Sequence, residues 1–234
     1  MNSNVIQQKA GILLEIIFVL AIMHGTKMLA EYVHLPSPGT FGIWVGILAA
    51  TFIFKIRSIT WKSIGLQLPK GHKDWLTQIG IGILAILSIV LITILTLYVF
   101  KPAFGLEKAA DAADKFNFFL GKPLILLVYL IVGIWFGAGL GEELLIRGFL
   151  LNHLKNLFGS NKSSWIIALI LQAVIFGFMH SYQGSMGILI TGLIGLSFGI
   201  FYLANKRKLF PVIFAHALFD TLTMVGYYLA ESGM

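Results

Sequence analysis

Seven stretches of this sequence are apolar for long enough to cross a lipid bilayer: Gly11–Ala30, Thr40–Phe54, Trp75–Phe100, Pro123–Gly141, Ser164–His180, Ser185–Asn205 and Leu209–Ala230. A crossing needs roughly 20 mainly apolar residues, each rising about 1.5 Å along a helix. Inside lipid every backbone N–H and C=O must be hydrogen-bonded within the protein, and a helix achieves this in a single segment. The expected fold class is therefore all-α, a polytopic membrane helical bundle with about seven transmembrane helices. The second stretch is short and needs local thinning or flanking anchors. The first follows Lys9, as the apolar core of a signal peptide follows its basic end, but it lacks a small-x-small cleavage site and reads as a span.

Composition supports this reading. Hydrophobic residues make up 58% of the 234 and charged residues only 12%, with a mean hydropathy of +0.89. A soluble domain carries about 25% charged residues. Too little charge remains to cover a water-facing surface, which excludes a soluble globule and a disordered chain. The lack of cysteine excludes a disulfide scaffold, thiolate catalysis, iron–sulfur clusters and thiolate zinc sites. The formal charge of +7 is expected to serve anionic membrane lipid rather than nucleic acid. With the N-terminus inside, 12 of the 17 Lys and Arg fall on the cytoplasmic side and 5 outside, as the positive-inside rule requires. The implied localisation is a prokaryotic plasma membrane, multi-pass, with a cytoplasmic N-terminus. Residues 142–158 are expected to continue the fourth helix. An eighth crossing there would move the Lys206-Arg207-Lys208 cluster outside. The 55–75 loop, with Trp61 and Trp75, reads as interfacial. The 101–122 loop, with Phe104, Leu106, Phe116, Phe118 and Phe119, is expected to lie on the outer surface. The Gly137–Gly141 pair signals close helix packing.

Ionisable residues inside a membrane are expensive and mark function by default. Here they are Glu15, His24, Glu142, Glu143, Arg147, His180, His216 and Asp220. Glu143 and Arg147 stand at i and i+4, acid first, the favourable order for a helical ion pair. That pair could simply neutralise itself. Glu142 lies about 100° further round the helix and has no partner there. It sits 16 residues before Phe158, and His180 sits 16 residues after Ser164. In an antiparallel hairpin those positions share a depth. Phe176, one turn before His180, is expected to wall the same pocket. In the last span His216 and Asp220 are again i and i+4. His216 is only seven residues past Leu209, so that helix must start early or tilt to reach Glu142. Glu15 and His24 belong to no such group and read as packing or interfacial residues.

Carboxylates and imidazoles from three helices suit hydrolysis. Glu142 is the candidate general base acting on water, His180 can share that water, and His216 with Asp220 can steady an oxyanion or orient a ligand. Zinc held by Glu142, His180 and His216 is the alternative, since two His and one carboxylate form a known catalytic set. No H-E-x-x-H motif is present to require a metal.

These motifs resemble those of the CPBP family of intramembrane proteases (CAAX protease and bacteriocin-processing, or Abi, family), which includes the Rce1-type prenyl-protein endopeptidases. The family motifs E-E-x-x-x-R, F-x-x-x-H and H-x-x-x-N/D correspond here to Glu142-Glu143-Leu-Leu-Ile-Arg147, Phe176-Gly-Phe-Met-His180 and His216-Ala-Leu-Phe-Asp220. The resemblance runs from Pro123 onward. It implies an N-terminal part, residues 1–122, and a catalytic core, residues 123–234, within one membrane domain. It further implies an intramembrane endopeptidase in which Glu142 activates water, His180 assists, Glu143, Arg147 and Phe176 support, and His216 and Asp220 complete the site. Members are described both as glutamate-dependent enzymes and as metalloproteases, so the cofactor is none or zinc. The third motif ends in Asp rather than the Asn of the eukaryotic enzymes. An ionised Asp donates no hydrogen bond, and Asp220 is instead expected to hold His216 in one tautomer. The expected partners are membrane lipid and a membrane-associated peptide or protein substrate, with no nucleic acid. A non-catalytic scaffold or immunity protein on the same fold is the alternative. A proton-coupled transporter is disfavoured by the absence of inverted repeats.

Overall fold

The structure, a computed structural model, describes residues 3–159 and 161–231. Seven helices in it are long and apolar enough to span a membrane. We label them α1 (Ser3–Tyr32), α2 (Pro38–Ile56), α3 (Gly71–Phe104), α4 (Pro123–Phe158), α5 (Lys162–Met179), α6 (Gly184–Ala204) and α7 (Phe210–Glu231). Each of the seven apolar stretches becomes one of them. The chain is a polytopic helical membrane protein, and among the described residues there is no strand. Large apolar side chains such as Leu14, Leu48, Phe52, Leu84, Ile170 and Ile200 point outward. That pattern suits a lipid-facing surface and would be untenable in water.

Residues 142–158 continue the fourth helix rather than crossing again. The result is one helix of 36 residues, about 54 Å at 1.5 Å per residue, against a bilayer core of about 30 Å. Its ends must tilt or protrude. Its middle is π-helical from Leu130 to Glu142 and from Leu144 to Leu150, and the two segments meet at Glu143. Such i→i+5 turns are frequent at functional sites. Every residue from Glu143 to Leu154 is buried. This stretch is the axis of the bundle: α4 packs on α1, α2, α5 and α7. The larger apolar core runs from Ile12 in α1 to Ala215 in α7, so residues on both sides of position 122 share it.

Glycines set the close approaches. A Cβ on Gly137 would stand 2.9 Å from Thr40 Oγ1, and one on Gly141 2.5 Å from Ile43 Cγ2, so α2 rests directly on α4. This is the small-residue packing expected of a membrane bundle.

Both loops are anchored to the bundle. The 101–122 loop runs along the surface, with Phe104 exposed, but it is pinned by one ring. Phe119 is wholly buried and packs with Phe116, Phe118, Tyr129, Tyr227 and Tyr228 across the ends of α4 and α7. Aromatic rings bury too much apolar area to remain at a wet surface when such partners are adjacent. Trp61, expected at the interface, folds back so that its ring meets Phe54 at 4.8 Å and its Nε1 donates to Thr51 Oγ1 at 2.9 Å. The 57–70 loop is tied to the α6–α7 turn: Tyr202 donates to the Ile64 carbonyl at 2.8 Å and the Leu209 amide to that of Gly65 at 3.0 Å. Gly65 has φ +105°, and a Cβ there would fall 1.7 Å from the Arg207 carbonyl oxygen. Only glycine meets both conditions.

Candidate active site

The depth of His216 follows from how α7 begins. Leu209 and Val212 are completely buried, so the first turn of α7 already lies inside the bundle and not at its surface. One turn before Glu142, Gly139 lets α7 approach until its absent Cβ would be 2.7 Å from Ala217 Cβ. This contact sets His216 beside Glu143.

Glu143 is the fixed carboxylate. Its side chain and that of Arg147 have zero exposure. Oε1 of Glu143 accepts a hydrogen bond from Arg147 Nη1 at 2.8 Å and lies 2.9 Å from His216 Nδ1. A charge removed from water survives only when partnered this way. Arg147 also donates from Nη2 to the Gly195 carbonyl at 3.2 Å, and its guanidinium stacks over Phe176 at 4.8 Å and Phe198 at 5.4 Å. Gln172 donates to the same Gly195 carbonyl at 2.9 Å. It belongs to none of the three motifs, although Gln172, Phe176 and His180 are spaced by fours along α5. An amide one turn before a motif residue in an apolar helix is the signal that marks it.

His216 lies between two acids. Its Nε2 is 3.5 Å from Asp220 Oδ2, longer than the 2.9 Å on the Glu143 side. The tautomer-holding task expected of Asp220 thus has Glu143 as its closer partner. His180 follows the last residue of α5. Its Nδ1 is 3.0 Å from the Phe176 carbonyl. A carbonyl only accepts, so the proton is assigned to Nδ1 and the Nε2 lone pair is left free. The ring stands edge-on to Phe176 at 4.8 Å.

Glu142 differs from its neighbour. Its Oε2 is buried and has no hydrogen-bond partner among the described residues; Glu143 Oε2 is in the same condition. His216 lies within electrostatic reach of Glu142, Glu143 and Asp220, and His180 within reach of His216 and Asp220. The equal-depth argument paired Glu142 with His180. No hydrogen bond joins the two among the described residues, and His180 is coupled instead to the α7 pair.

Lys115 has no motif or spacing to mark it in the sequence. It reaches in from the 101–122 loop, with its Nζ 3.1 Å from the centre of the Tyr182 ring. Lys115 is exposed as a residue, but partial desolvation of its ammonium beside the ring, reinforced by Lys27, pushes its pKa down to about 8, while Glu142 and Glu31 oppose that shift. The loop is held there by backbone bonds from Ala109 to the Gln183 carbonyl (3.1 Å) and from Met186 to that of Glu107 (3.0 Å).

The zinc set Glu142, His180 and His216 does not assemble. Among the described residues no three His, Asp or Glu side chains converge closely enough to hold a metal ion. Both His216 nitrogens already face carboxylates, and the near Glu143 oxygen is held by Arg147. Glu15 lies outside the site and is more than a packing residue: it pairs with Arg57 at 2.7 Å and stands 3.4 Å from His153 Nε2. His24 is exposed on α1.

Fold and centre together define a multi-pass membrane protein with a buried Glu–Arg–His–Asp cluster carried by α4, α5 and α7. A sequence model of the Rce1-like family, described as type II CAAX prenyl endopeptidase Rce1-like, matches residues 124–222. That stretch contains all seven motif residues from Glu142 to Asp220, and the match supports assignment of the chain to the CPBP/Rce1-like family through it. No curated protein and no solved structure matches the chain.

Proposed function

We propose that the chain is an intramembrane endopeptidase that cleaves a membrane-associated peptide or protein with a water molecule activated by Glu142. One observation carries the reading: of two adjacent glutamates, Glu143 is tied through one oxygen to Arg147 and His216, while the half-buried Glu142 makes no side-chain hydrogen bond among the described residues. A base must be free to take up a proton: the carboxylate of Glu143 is held by the Arg147 guanidinium, whereas that of Glu142 has no cation bonded to it among the described residues.

In this mechanism Glu142 takes a proton from water as the water oxygen bonds to the scissile carbonyl carbon. The carbonyl π electrons move to its oxygen. Collapse of that intermediate breaks the C–N bond, and Glu142 returns the proton to the leaving nitrogen. His180 aligns the water through its free Nε2. His216, set by Glu143 and Asp220, and the Lys115 ammonium face the developing negative charge. No step needs a metal. Residues 123–234 form the catalytic core, and residues 1–122 complete the same membrane domain. The uneven distribution of Lys and Arg supports a cytoplasmic N-terminus in a prokaryotic plasma membrane.

The test is cleavage in proteoliposomes, using a panel of quenched fluorescent peptides that includes a prenylated C-terminal peptide and an unmodified membrane-anchored one. Glu142→Gln and His180→Ala should insert and fold yet cleave nothing that the wild type cleaves. Full cleavage by Glu142→Gln would overturn the assignment.

A further inference from the structure

At the far end of α4 from Pro123, two cavities share a wall. The larger, about 480 Å³, opens between α1, the turn after α2 and the last turns of α4, and Lys9, Arg57 and Lys155 line it. Apolar Val5, Ile12 and Ile59 line it as well, beside the cations. The second, about 300 Å³, lies across His153, Lys155 and Asn156 and adds Arg207 from the α6–α7 turn. Four cations thus face two adjoining cavities, and no acidic residue lines either.

Their charges are unequally matched. Arg57 is neutralised by Glu15 at 2.7 Å. Lys9, Lys155 and Arg207 make no ion pair among the described residues. Lys155 reaches only the Asn156 side-chain oxygen at 3.3 Å, and Arg207 only that of Asn152 at 3.3 Å. Trp165 stands beside both, 5.5 Å from Lys155 Nζ and 6.0 Å from the Arg207 guanidinium. Lys155 belongs to both cavities, with Lys9 in the first and Arg207 in the second; unmatched cations so grouped repel each other unless an anion sits among them. Phosphate oxygens suit this donor set, which offers a planar guanidinium and two ammonium groups. A free phosphate would have no use for the apolar wall. A lipid would, because its glycerol and first methylenes continue directly from the phosphate.

We propose that this paired cavity binds the phosphate-bearing headgroup of an anionic phospholipid, with Lys9, Lys155 and Arg207 on the phosphate and Val5, Ile12 and Ile59 against the start of the chains. The position agrees with this occupant: the cleft lies where α1 begins and α2 and α4 end, and basic pockets between membrane helices hold such headgroups. A lipid seated there bridges α1, the end of α4 and the turn that leads into α7. It therefore fastens the helix that carries His216.

The test uses full-length protein stripped of lipid in a neutral detergent. Thermal unfolding is followed with added phosphatidylglycerol, phosphatidylcholine or inorganic phosphate, and native mass spectrometry counts retained phospholipid. Phosphatidylglycerol should raise the melting temperature and remain bound, while phosphatidylcholine should do neither. A Lys9→Gln, Lys155→Gln, Arg207→Gln triple variant should bind it roughly a hundredfold more weakly, at about a factor of five per charge. If the triple variant does not fold, Lys9→Gln, Lys155→Gln should show an intermediate loss. Lys101→Gln, Lys108→Gln, at the other end of the bundle, should bind as the wild type does. Equal stabilisation by phosphatidylcholine, equal stabilisation by inorganic phosphate alone, or unchanged lipid retention in the Lys9 and Lys155 variants would each overturn the proposal.

Discussion

Replacing Glu142 and Glu143 by Gln, one at a time, should separate two adjacent carboxylates into opposite phenotypes. Glu143 and Arg147 are both completely inaccessible, and Glu143 Oε1 also meets His216 at 2.9 Å. Removing one charge of a buried pair leaves the other uncompensated, which typically costs about 3–5 kcal/mol. Glutamine keeps an oxygen for the Arg147 bond, so the lower end, about 3 kcal/mol, is expected for Glu143→Gln. For a chain of this size that corresponds to a melting temperature lowered by roughly 6–12 °C. Glu142 Oε2 has no partner to lose, so Glu142→Gln should stay within about 0.5 kcal/mol of wild type, the range of substitutions that break no buried network. Its activity should nonetheless fall by about 10²–10⁴, the span attributed to a positioned general base. Tryptophan fluorescence during thermal unfolding in detergent reads stability, and peptide cleavage in proteoliposomes reads activity. A cycle with Arg147→Met isolates the pair: the double variant should lose less than the sum of the single ones. Equal destabilisation by both glutamate substitutions, or a wild-type melting temperature for Glu143→Gln, would refute the division of labour.

Lys115 supplies a pH test. Its pKa is pushed from 10.5 to about 8, so charging it opposes folding; the penalty is complete below pH 8 and fades as pH rises to 10.5. Lys115→Met should therefore melt slightly higher than wild type at pH 7, with a difference that shrinks above pH 8; a constant difference across pH 7–10 argues against the lowered pKa. Cleavage by the wild type should decline as pH passes 8, whereas Lys115→Arg should extend activity to higher pH. Gly139→Val places a side chain where a Cβ would stand only 2.7 Å from that of Ala217; overpacking of this kind costs about 1–3 kcal/mol and should move His216 away from Glu143, lowering the melting temperature and kcat together. Gly80→Val, with open space around it, is the control. Because the zinc set does not converge, 1,10-phenanthroline should leave cleavage intact and purified active protein should carry well under one equivalent of zinc; inhibition reversed by added zinc would show that the site rearranges around a metal.

How far the sequence can be read depends on how far each interaction reaches along the chain. The seven helices are legible because each is decided within its own 20-odd residues by the cost of leaving a backbone unbonded in lipid. The motif residues are legible for a related reason: in a helix such as α5, apolar from Trp165 onward, a histidine at its end stands out. What brings those residues together is not local. The approach of α7 to α4 depends on Gly139 opposite Ala217, two small residues that composition cannot distinguish from any others. Lys115 reaches the site only because Phe119, in the same loop, is buried among rings from α4 and α7. Glu15 looks isolated in sequence because its partners, Arg57 and His153, are 42 and 138 positions away. The two glutamates divide along the same line. The i, i+4 spacing already gives Arg147 to Glu143 and leaves Glu142 without a partner on its own helix, and the ion pair stands at 2.8 Å. That His216 also meets Glu143, at 2.9 Å, depends on how α7 approaches α4, which no spacing along the chain encodes.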